Sequence, residues 1–316
     1  MRASSRTDIV GVDIGGTKIA AGYIGGGGRL VQTGVEPTTP GDGAANVAAV
    51  HRLLAHPDLD GSPVVGVSMA TTMDENGALR DPHNWFGWRG VDLAELLRTD
   101  RREFVVVADA EAGAVGEAMI GASSGDQRAL YVTVGTGIAH CFVEAGRPLS
   151  GAHKSAYFSG YTTPARCSWD GCDAPYVERI SSGTAIARDF LGEERGDTRL
   201  VFDAARTGDR HARQIIEHAA WHLGVLIADL MLIYDPDSVV IGGGLGTGAD
   251  SYRQRVAEVA RGHLTVEHTR GIPIRRAGLG GSSCWAGAIL VAREQCTDRA
   301  ISEDAHTLIS TQGRLP

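Results

Sequence analysis

Ile9-Val10-Gly11-Val12-Asp13-Ile14-Gly15-Gly16-Thr17-Lys18-Ile19-Ala20-Ala21-Gly22-Tyr23-Ile24 is the stretch from which the fold can be read. An apolar run from Ile9 to Ile14 is interrupted by one acid, turns on two glycines and resumes at Ile19. That pattern predicts strand, tight turn, strand. A carboxylate in an otherwise apolar strand is costly unless something partners it. Glycines in the turn let backbone N–H groups approach phosphate oxygens, and the Thr17 hydroxyl adds a donor. A carboxylate at the end of the preceding strand can hold Mg²⁺ through water opposite those phosphates. Asp13, Gly15, Gly16, Thr17 and Lys18 are therefore candidate nucleotide-phosphate residues, with Asp13 on the metal. The plain alternative is a hairpin with an incidental Asp, which the cost of burying that acid disfavours. No G-x-x-x-x-G-K-[ST] occurs, so this is not a Walker loop.

Outward from this motif, strands are expected at Val64–Met69 and Phe104–Ala108, with helices at Ala44–Leu54, from Leu93 and over Ala110–Ile120. Strands alternating with helices predict an α/β chain with a largely parallel sheet and ligands at the strand carboxyl ends. The turn-rich Gly121–Asp126 (GASSGD) marks a boundary, giving an N-terminal lobe 1–121 and a C-terminal lobe 122–316. Just beyond it the opening motif returns. Val12-Asp13-Ile14-Gly15-Gly16-Thr17 lies over Val132-Thr133-Val134-Gly135-Thr136-Gly137, which suggests a duplicated lobe or a coincidence of short patterns. The second half reads as more helical, with helices at Ala185–Phe190, Val201–Ala205, Ala212–Leu232 and Ala286–Glu294. The last of these is placed as a helix that can pack back on the first lobe. The tail after Cys296 is polar and weakly periodic, as in a loosely packed segment.

Further candidates lie on these elements. Gly135, Thr136 and Gly137 form a turn that, paired with the first, makes a second phosphate cradle. Gly242-Gly243-Gly244 follows an apolar strand; Gly243 and Gly244 suit close approach to a flat ligand such as adenosine, or a tight strand–helix turn. Asp109 ends a strand where a helix begins. It can cap that helix, and it can also accept the proton of an attacking hydroxyl. Asn84, in His83-Asn84-Trp85-Phe86-Gly87-Trp88, can hydrogen-bond sugar hydroxyls or serve as a turn residue. Cys167 and Cys172 fall short of the four ligands of a structural zinc site, so no zinc is expected.

Composition excludes other classes. The net charge of −8 leaves no basic footprint for nucleic acid or an anionic membrane. No unbroken apolar run reaches membrane-spanning length, and the N-terminus carries no signal-peptide core. Five scattered cysteines in 316 residues fit a reducing cytoplasm.

Together these motifs resemble the ROK family of bacterial sugar kinases and repressors, over Val10 to about Ala292. Asp13-Ile14-Gly15-Gly16-Thr17-Lys18 matches the family's phosphate motif, and Gly135-Thr136-Gly137-Ile138 its second loop. Asp235-Pro236 with Ile241–Leu245 matches the adenosine-side strand. The resemblance implies an actin-like ATPase (ribonuclease H-like) fold with two lobes around a cleft, ATP and Mg²⁺ as cofactors, and a homodimer. It also implies that Asp109 is the catalytic base and that Asn84 and Glu178 contact the sugar. On that footing Asp13 and Asp109 are expected to face each other from opposite walls of the cleft. The helix-turn-helix of the family's repressors is missing, which argues against DNA binding.

The departures bear on substrate. The family's N-D-A-N reads Ala108-Asp109-Ala110-Glu111, and its P-G-P loop reads Ala70-Thr71-Thr72, making Thr71 a candidate substrate residue. Its A-G-E-x-G-H segment reads Ala156-Tyr157-Phe158-Ser159-Gly160-Tyr161. A sugar-gripping Glu is thus Phe158, a zinc-ligating and sugar-contacting His is Tyr161, and the first of three zinc cysteines is Ala165. Ordinary glucose hydroxyls buried against Phe158 would lose partners, at about 1–3 kcal/mol each. The expectation is an ATP-dependent kinase for a primary alcohol on a non-glucose sugar or cyclitol. A glucokinase with a rebuilt pocket and a non-catalytic sugar sensor are the rivals.

Overall fold

The computed structural model describes residues 9–71, 73–74, 77–80, 85–166, 175–193 and 196–312, with side chains described as far as residue 297. The chain forms two compact units: residues 1–112 with 285–316, and residues 113–284. The division falls inside a helix rather than in the 121–126 turn expected from composition, and residues 285–316 group with the first unit.

The first unit opens with β1 (Ile9–Ile14), β2 (Lys18–Ile24) and β3 (Leu30–Pro37). It continues through α1 (Gly43–Leu54), β4 (Val64–Met69), α2 (Leu93–Leu97) and β5 (Glu103–Ala108), and the chain leaves through α3 (Asp109–Ile120). The strands order as β3-β2-β1-β4-β5. The β1–β2 and β2–β3 pairs are antiparallel, whereas β1–β4 and β4–β5 are parallel. The sheet is therefore mixed, not largely parallel, because the opening motif is a true hairpin.

In the second unit β6 (Arg128–Val134), β7 (Ile138–Glu144) and β8 (Arg147–Pro148) are followed by a helical stretch. It comprises α4 (Glu178–Ser181), α5 (Gly183–Leu191), α6 (Thr198–Thr207) and α7 (Arg210–Tyr234). Then come β9 (Ser238–Gly242), α8 (Gly243–Gly248), α9 (Asp250–His263) and β10 (Ile274–Arg276). α10 (Ser283–Gln312) returns the chain to the first unit, its backbone helical well past Cys296. The second sheet orders as β10-β9-β6-β7-β8. β6–β7 and β7–β8 are antiparallel, and β6–β9 and β9–β10 are parallel. The first sheet's topology is thus repeated strand for strand. The return of the Val12–Thr17 pattern at Val132–Gly137 marks a duplicated unit.

Each unit has its own core. In the first, Val10, Val12, Ile14, Val65, Val67 and Leu54 are fully buried. α10 joins it by close approach. Gly11 and Gly66 are cross-strand neighbours. A Cβ on Gly11 would stand 2.2 Å from the Trp285 carbonyl, and one on Gly66 2.2 Å from the Ala288 carbonyl. Only glycines let the helix backbone lie on the sheet there. In the second unit α7 supplies Leu223, Ile227 and Met231 to the core, which includes Val132, Val134 and Ile241. α7 is apolar and long enough to span a bilayer, but most of its apolar window is buried in the unit.

Candidate active site

In the first unit the parallel strands bring their carboxyl ends to one edge. β1 ends in Asp13-Ile14 and runs into the turn Gly15–Lys18, closed by the Gly15 N–H donating to the Lys18 carbonyl at 2.9 Å. Two side chains hold this turn from behind. The Thr38 hydroxyl donates to the Gly15 carbonyl at 2.7 Å, and the Trp85 indole N–H donates to the Gly16 carbonyl at 2.9 Å. With those carbonyls engaged, the turn's shape is fixed before any ligand arrives.

Asp13 is half-buried. The hydroxyl of the fully buried Ser68 donates to its Oδ1 at 2.9 Å. Burial raises the Asp13 pKa to about 6, against smaller opposing effects of the Ser68 hydrogen bond and the Lys18 charge. A half-buried carboxylate with one neutral donor and one exposed lysine nearby is short of positive charge. The donor set fits a hydrated divalent cation.

Asp109 stands immediately after β5 as the first residue of α3, and its Oδ1 accepts the Ala110 N–H at 2.7 Å. The register sets Asp13 level with Ser68 and Ser68 level with Val107. Asp109 is thus two strand spacings from Asp13, about 10 Å, and two residues further along. The two acids share one sheet edge of one unit, which corrects the expectation of opposite walls. Strand order is non-local, and the positions of 13 and 109 along the chain do not reveal it. Thr71 lies on the same edge, its N–H donating to the Met69 carbonyl at 2.8 Å, while Ala70 N–H donates to the Ile14 carbonyl at 3.1 Å.

The second unit builds a related edge around β6. The turn Gly135–Gly137 is one residue shorter than its counterpart and is closed by Gly135 N–H to the Gly137 carbonyl at 2.9 Å. Glu178 braces it: its Oε2 accepts the Ile138 N–H at 2.7 Å, and a Cβ on Gly137 would meet that oxygen at 2.6 Å. The start of α5 braces the other side, with Gly183 N–H donating to the Gly135 carbonyl at 2.7 Å and the Thr184 hydroxyl to the Thr136 carbonyl at 2.8 Å. Gly243 has φ of +77° and would put a Cβ 2.4 Å from the Val134 carbonyl. A Cβ on Gly135 would sit 3.6 Å from the Gly244 nitrogen. The two glycine turns therefore touch, and Gly244 faces open space.

Phe158 and Tyr161 flank buried Ser159 and Gly160 and are exposed themselves, at 38% and 47%. Asn84, Cys167 and Cys172 lie outside the described residues. Ser68, Thr38, Trp85 and Thr184 were not foreseen. Ser68 alone carried a local signal, a lone hydroxyl in an apolar strand, the same kind of signal that exposed Asp13.

Ionisation of buried groups leaves a measurable trace. Burial lowers the His140 pKa to about 4, and burial with the neighbouring His218 lowers that of His222 to about 4. Near pH 5 the unfolded chain holds a proton on each imidazole and little on Asp13, whereas the folded chain holds one on Asp13 and none on the imidazoles. Unfolding then takes up one net proton from these groups, which contribute a fall in stability with falling pH of about 1.4 kcal/mol per unit; His51 and His218, also lowered by burial, add to it. In Asp13→Asn the difference from these groups becomes two protons, so the slope is steeper than the parent's by about 1.4 kcal/mol per unit. Urea unfolding between pH 4.5 and 5.5 measures both; equal slopes would mean that Asp13 is ionised there.

Residues 9–295 match the model of the ROK family. The chain belongs to the ROK family. A glucokinase of Halalkalibacterium halodurans is 28% identical over 90% of this chain and 95% of its own. An N-acetylmannosamine kinase of Yersinia pseudotuberculosis is 29% identical over 88% of this chain and 98% of its own. The structure of a ROK glucokinase from Streptomyces griseus with glucose and AMPPNP superposes with a TM-score of 0.76. Its sequence is 28% identical, over 90% of this chain and 99% of that one. The two repeated mixed sheets of this ROK protein are those of the actin-like ATPase fold.

Proposed function

We propose that this ROK protein is an ATP- and Mg²⁺-dependent kinase acting in the cytoplasm. It phosphorylates a hydroxyl, a primary alcohol, of a non-glucose sugar or sugar-like cyclitol. The observation that carries the reading is Asp13 and Asp109 on one sheet edge beside the Gly15–Lys18 turn. ATP supplies the transferred phosphoryl group and Mg²⁺ offsets its charge. Asp13 holds the hydrated metal, and Gly15, Gly16, Thr17, Lys18, Gly135, Thr136 and Gly137 bind phosphates. Gly243 and Gly244 let the nucleotide's flat part come close. Asp109 orients the acceptor hydroxyl and takes its proton, while Thr71, Asn84, Phe158, Tyr161 and Glu178 contact the acceptor. The likeness to kinases along nearly the whole chain supports this reading.

The case against glucose rests on Phe158 and Tyr161, whose exposed rings stand where the family uses Glu and His. The Phe158 ring offers no hydrogen-bond partner to a sugar hydroxyl, and at position 161 a phenol hydroxyl stands in place of the imidazole. Glucose phosphorylation with a rebuilt pocket is the second reading, favoured by relatives that are glucokinases. A coupled ADP-release assay across glucose, mannose, amino sugars and cyclitols separates the two. We expect the best cyclitol or non-glucose sugar to exceed glucose at least about tenfold in kcat/KM. Glucose turning over as well as any other compound would reject the substrate argument, and no turnover with bound sugar would point to a non-catalytic sensor. The protein is further proposed to work as a homodimer, to bind neither nucleic acid nor membrane, and to lack zinc. One zinc per chain by metal analysis of the purified protein would reverse the last point.

A further inference from the structure

Behind the Gly15–Lys18 turn, the connection from β3 into α1 is knit to the segment that begins at Trp85. Asn46, a fully buried residue of α1, is the hub. Its Oδ1 accepts the Thr39 N–H at 2.8 Å, and its Nδ2 donates to the Thr39 carbonyl at 2.9 Å and to the Phe86 carbonyl at 3.2 Å. The Gly41 N–H donates to the Trp85 carbonyl at 2.8 Å. A buried amide with its oxygen and both donor positions engaged specifies one local arrangement. Thr38 and Trp85, whose side chains reach the turn, are therefore fastened to one bracket. Thr38 grips the turn twice, by its hydroxyl on the Gly15 carbonyl at 2.7 Å and by its N–H on the Thr17 carbonyl at 3.2 Å.

A planar trans peptide points its carbonyl and its N–H in opposite directions. The Gly15 carbonyl shares a peptide with the Gly16 N–H, and the Gly16 carbonyl shares one with the Thr17 N–H. Holding those two carbonyls on Thr38 and Trp85 thus turns the Gly16 and Thr17 N–H groups away from the bracket. Thr17 is exposed and Gly16 partly so. Successive N–H groups in a turn make a concavity that binds anions. The phosphoryl group that leaves ATP must meet the hydroxyl held by Asp109, and Asp109 shares this sheet edge with the turn. Of the nucleotide's phosphates, the terminal one falls to this turn.

We propose that Trp85 and Thr38, joined through Asn46, are positioning residues that aim the Gly16 and Thr17 N–H groups at the terminal phosphate of ATP. The braces then favour a triphosphate over a diphosphate. This rests on the kinase reading above and adds to it the residues that hold the phosphate turn in its working shape.

Titration calorimetry on the full chain with Mg²⁺ compares the non-hydrolysable analogue AMPPNP with ADP. Trp85→Phe keeps a ring and removes the indole N–H. It should weaken AMPPNP binding at least about threefold and ADP binding less than about 1.5-fold. Thr38→Val removes the hydroxyl at nearly constant shape and should act in the same way. Trp88→Phe is the control, because the Trp88 indole N–H donates to the Gly43 carbonyl at 3.1 Å, a backbone carbonyl outside the turn. It should lower the melting temperature and leave the ratio of the two affinities within about 1.5-fold of the parent's. A ratio unchanged in either Trp85→Phe or Thr38→Val overturns the proposal, and so does a ratio that shifts as far in Trp88→Phe. If Trp85→Phe does not fold, Thr38→Val against Trp88→Phe decides. The sugar and cyclitol panel separates the two levels. A shifted ratio in a protein that phosphorylates none of the panel sinks the kinase reading and keeps the positioning role, and turnover with an unchanged ratio does the reverse.

Discussion

Asp109→Asn lowers kcat by at least about 10²-fold while leaving nucleotide and acceptor KM within a few-fold of the parent. An amide has nearly the carboxylate's shape. Its oxygen can still accept the Ala110 N–H that Asp109 Oδ1 accepts at 2.7 Å, so the start of α3 keeps its local bond. What the amide cannot do is take a proton from an attacking hydroxyl. Phosphoryl transfer asks the protein mainly for positioning and charge stabilisation, and a base adds a factor of about 10² to 10⁴. Steady-state kinetics on the preferred acceptor reads the effect, and an unchanged melting temperature shows that the helix start is intact. Loss of kcat with unchanged KM assigns Asp109 to the transition state. A variant as fast as the parent removes Asp109 from the chemistry, and a raised acceptor KM with kcat unchanged makes it a binding residue only.

The elements that could be read from the sequence are those whose signal is local. Asp13 stands out because its neighbours Val12 and Ile14 are apolar, and the turn after it because two glycines are adjacent. The same holds for Val132–Gly137, whose pattern suggests duplication or coincidence, and the second sheet's repeat of the first decides for duplication. What escaped depends on partners far along the chain. Ser68 reaches Asp13 across 55 residues through a parallel register, and Trp85 reaches Gly16 across 69. Gly11 and Gly66 look like weak points in their strands until the α10 backbone is laid against them. The placement of Asp109 beside Asp13, and not across from it, follows from β4 lying between β1 and β5. Helix α8 escaped for another reason. α8 is built on Gly243-Gly244-Leu245-Gly246, a poor helix former, and exists because Gly243 takes a left-handed turn against Val134 that starts it.

Glu117 escaped for the same reason as Ser68, and its removal should have the largest effect on stability. It lies in α3 with no exposed surface, a carboxylate whose burial demands partners. Four donors converge on it, one from the turn just after α3 and three from the distant 278–283 segment. Oε2 accepts the N–H of Ala122 at 2.7 Å and of Gly278 at 2.8 Å. Oε1 accepts the Leu279 N–H at 3.0 Å and the Ser283 hydroxyl at 2.7 Å. The Ser283 hydroxyl can turn to the Gly280 carbonyl, at 3.0 Å, but the three backbone N–H groups have fixed directions. Glu117→Ala strands them, at about 1–3 kcal/mol each, so a loss of at least about 3 kcal/mol is expected in urea unfolding of the nucleotide-free protein. Glu117→Gln should cost nearly as much, because the amide NH₂ must face two donors whichever way it turns. The 277–283 segment is also tied to the glycine run proposed above to approach the nucleotide: Ala277 N–H donates to the Ile241 carbonyl, one residue before Gly242–Gly244. A loosened segment should therefore raise nucleotide KM more than acceptor KM. A loss below about 1 kcal/mol in both variants would mean that water replaces the carboxylate without cost, and that the convergence of donors on Glu117 does not hold this part of the unit together.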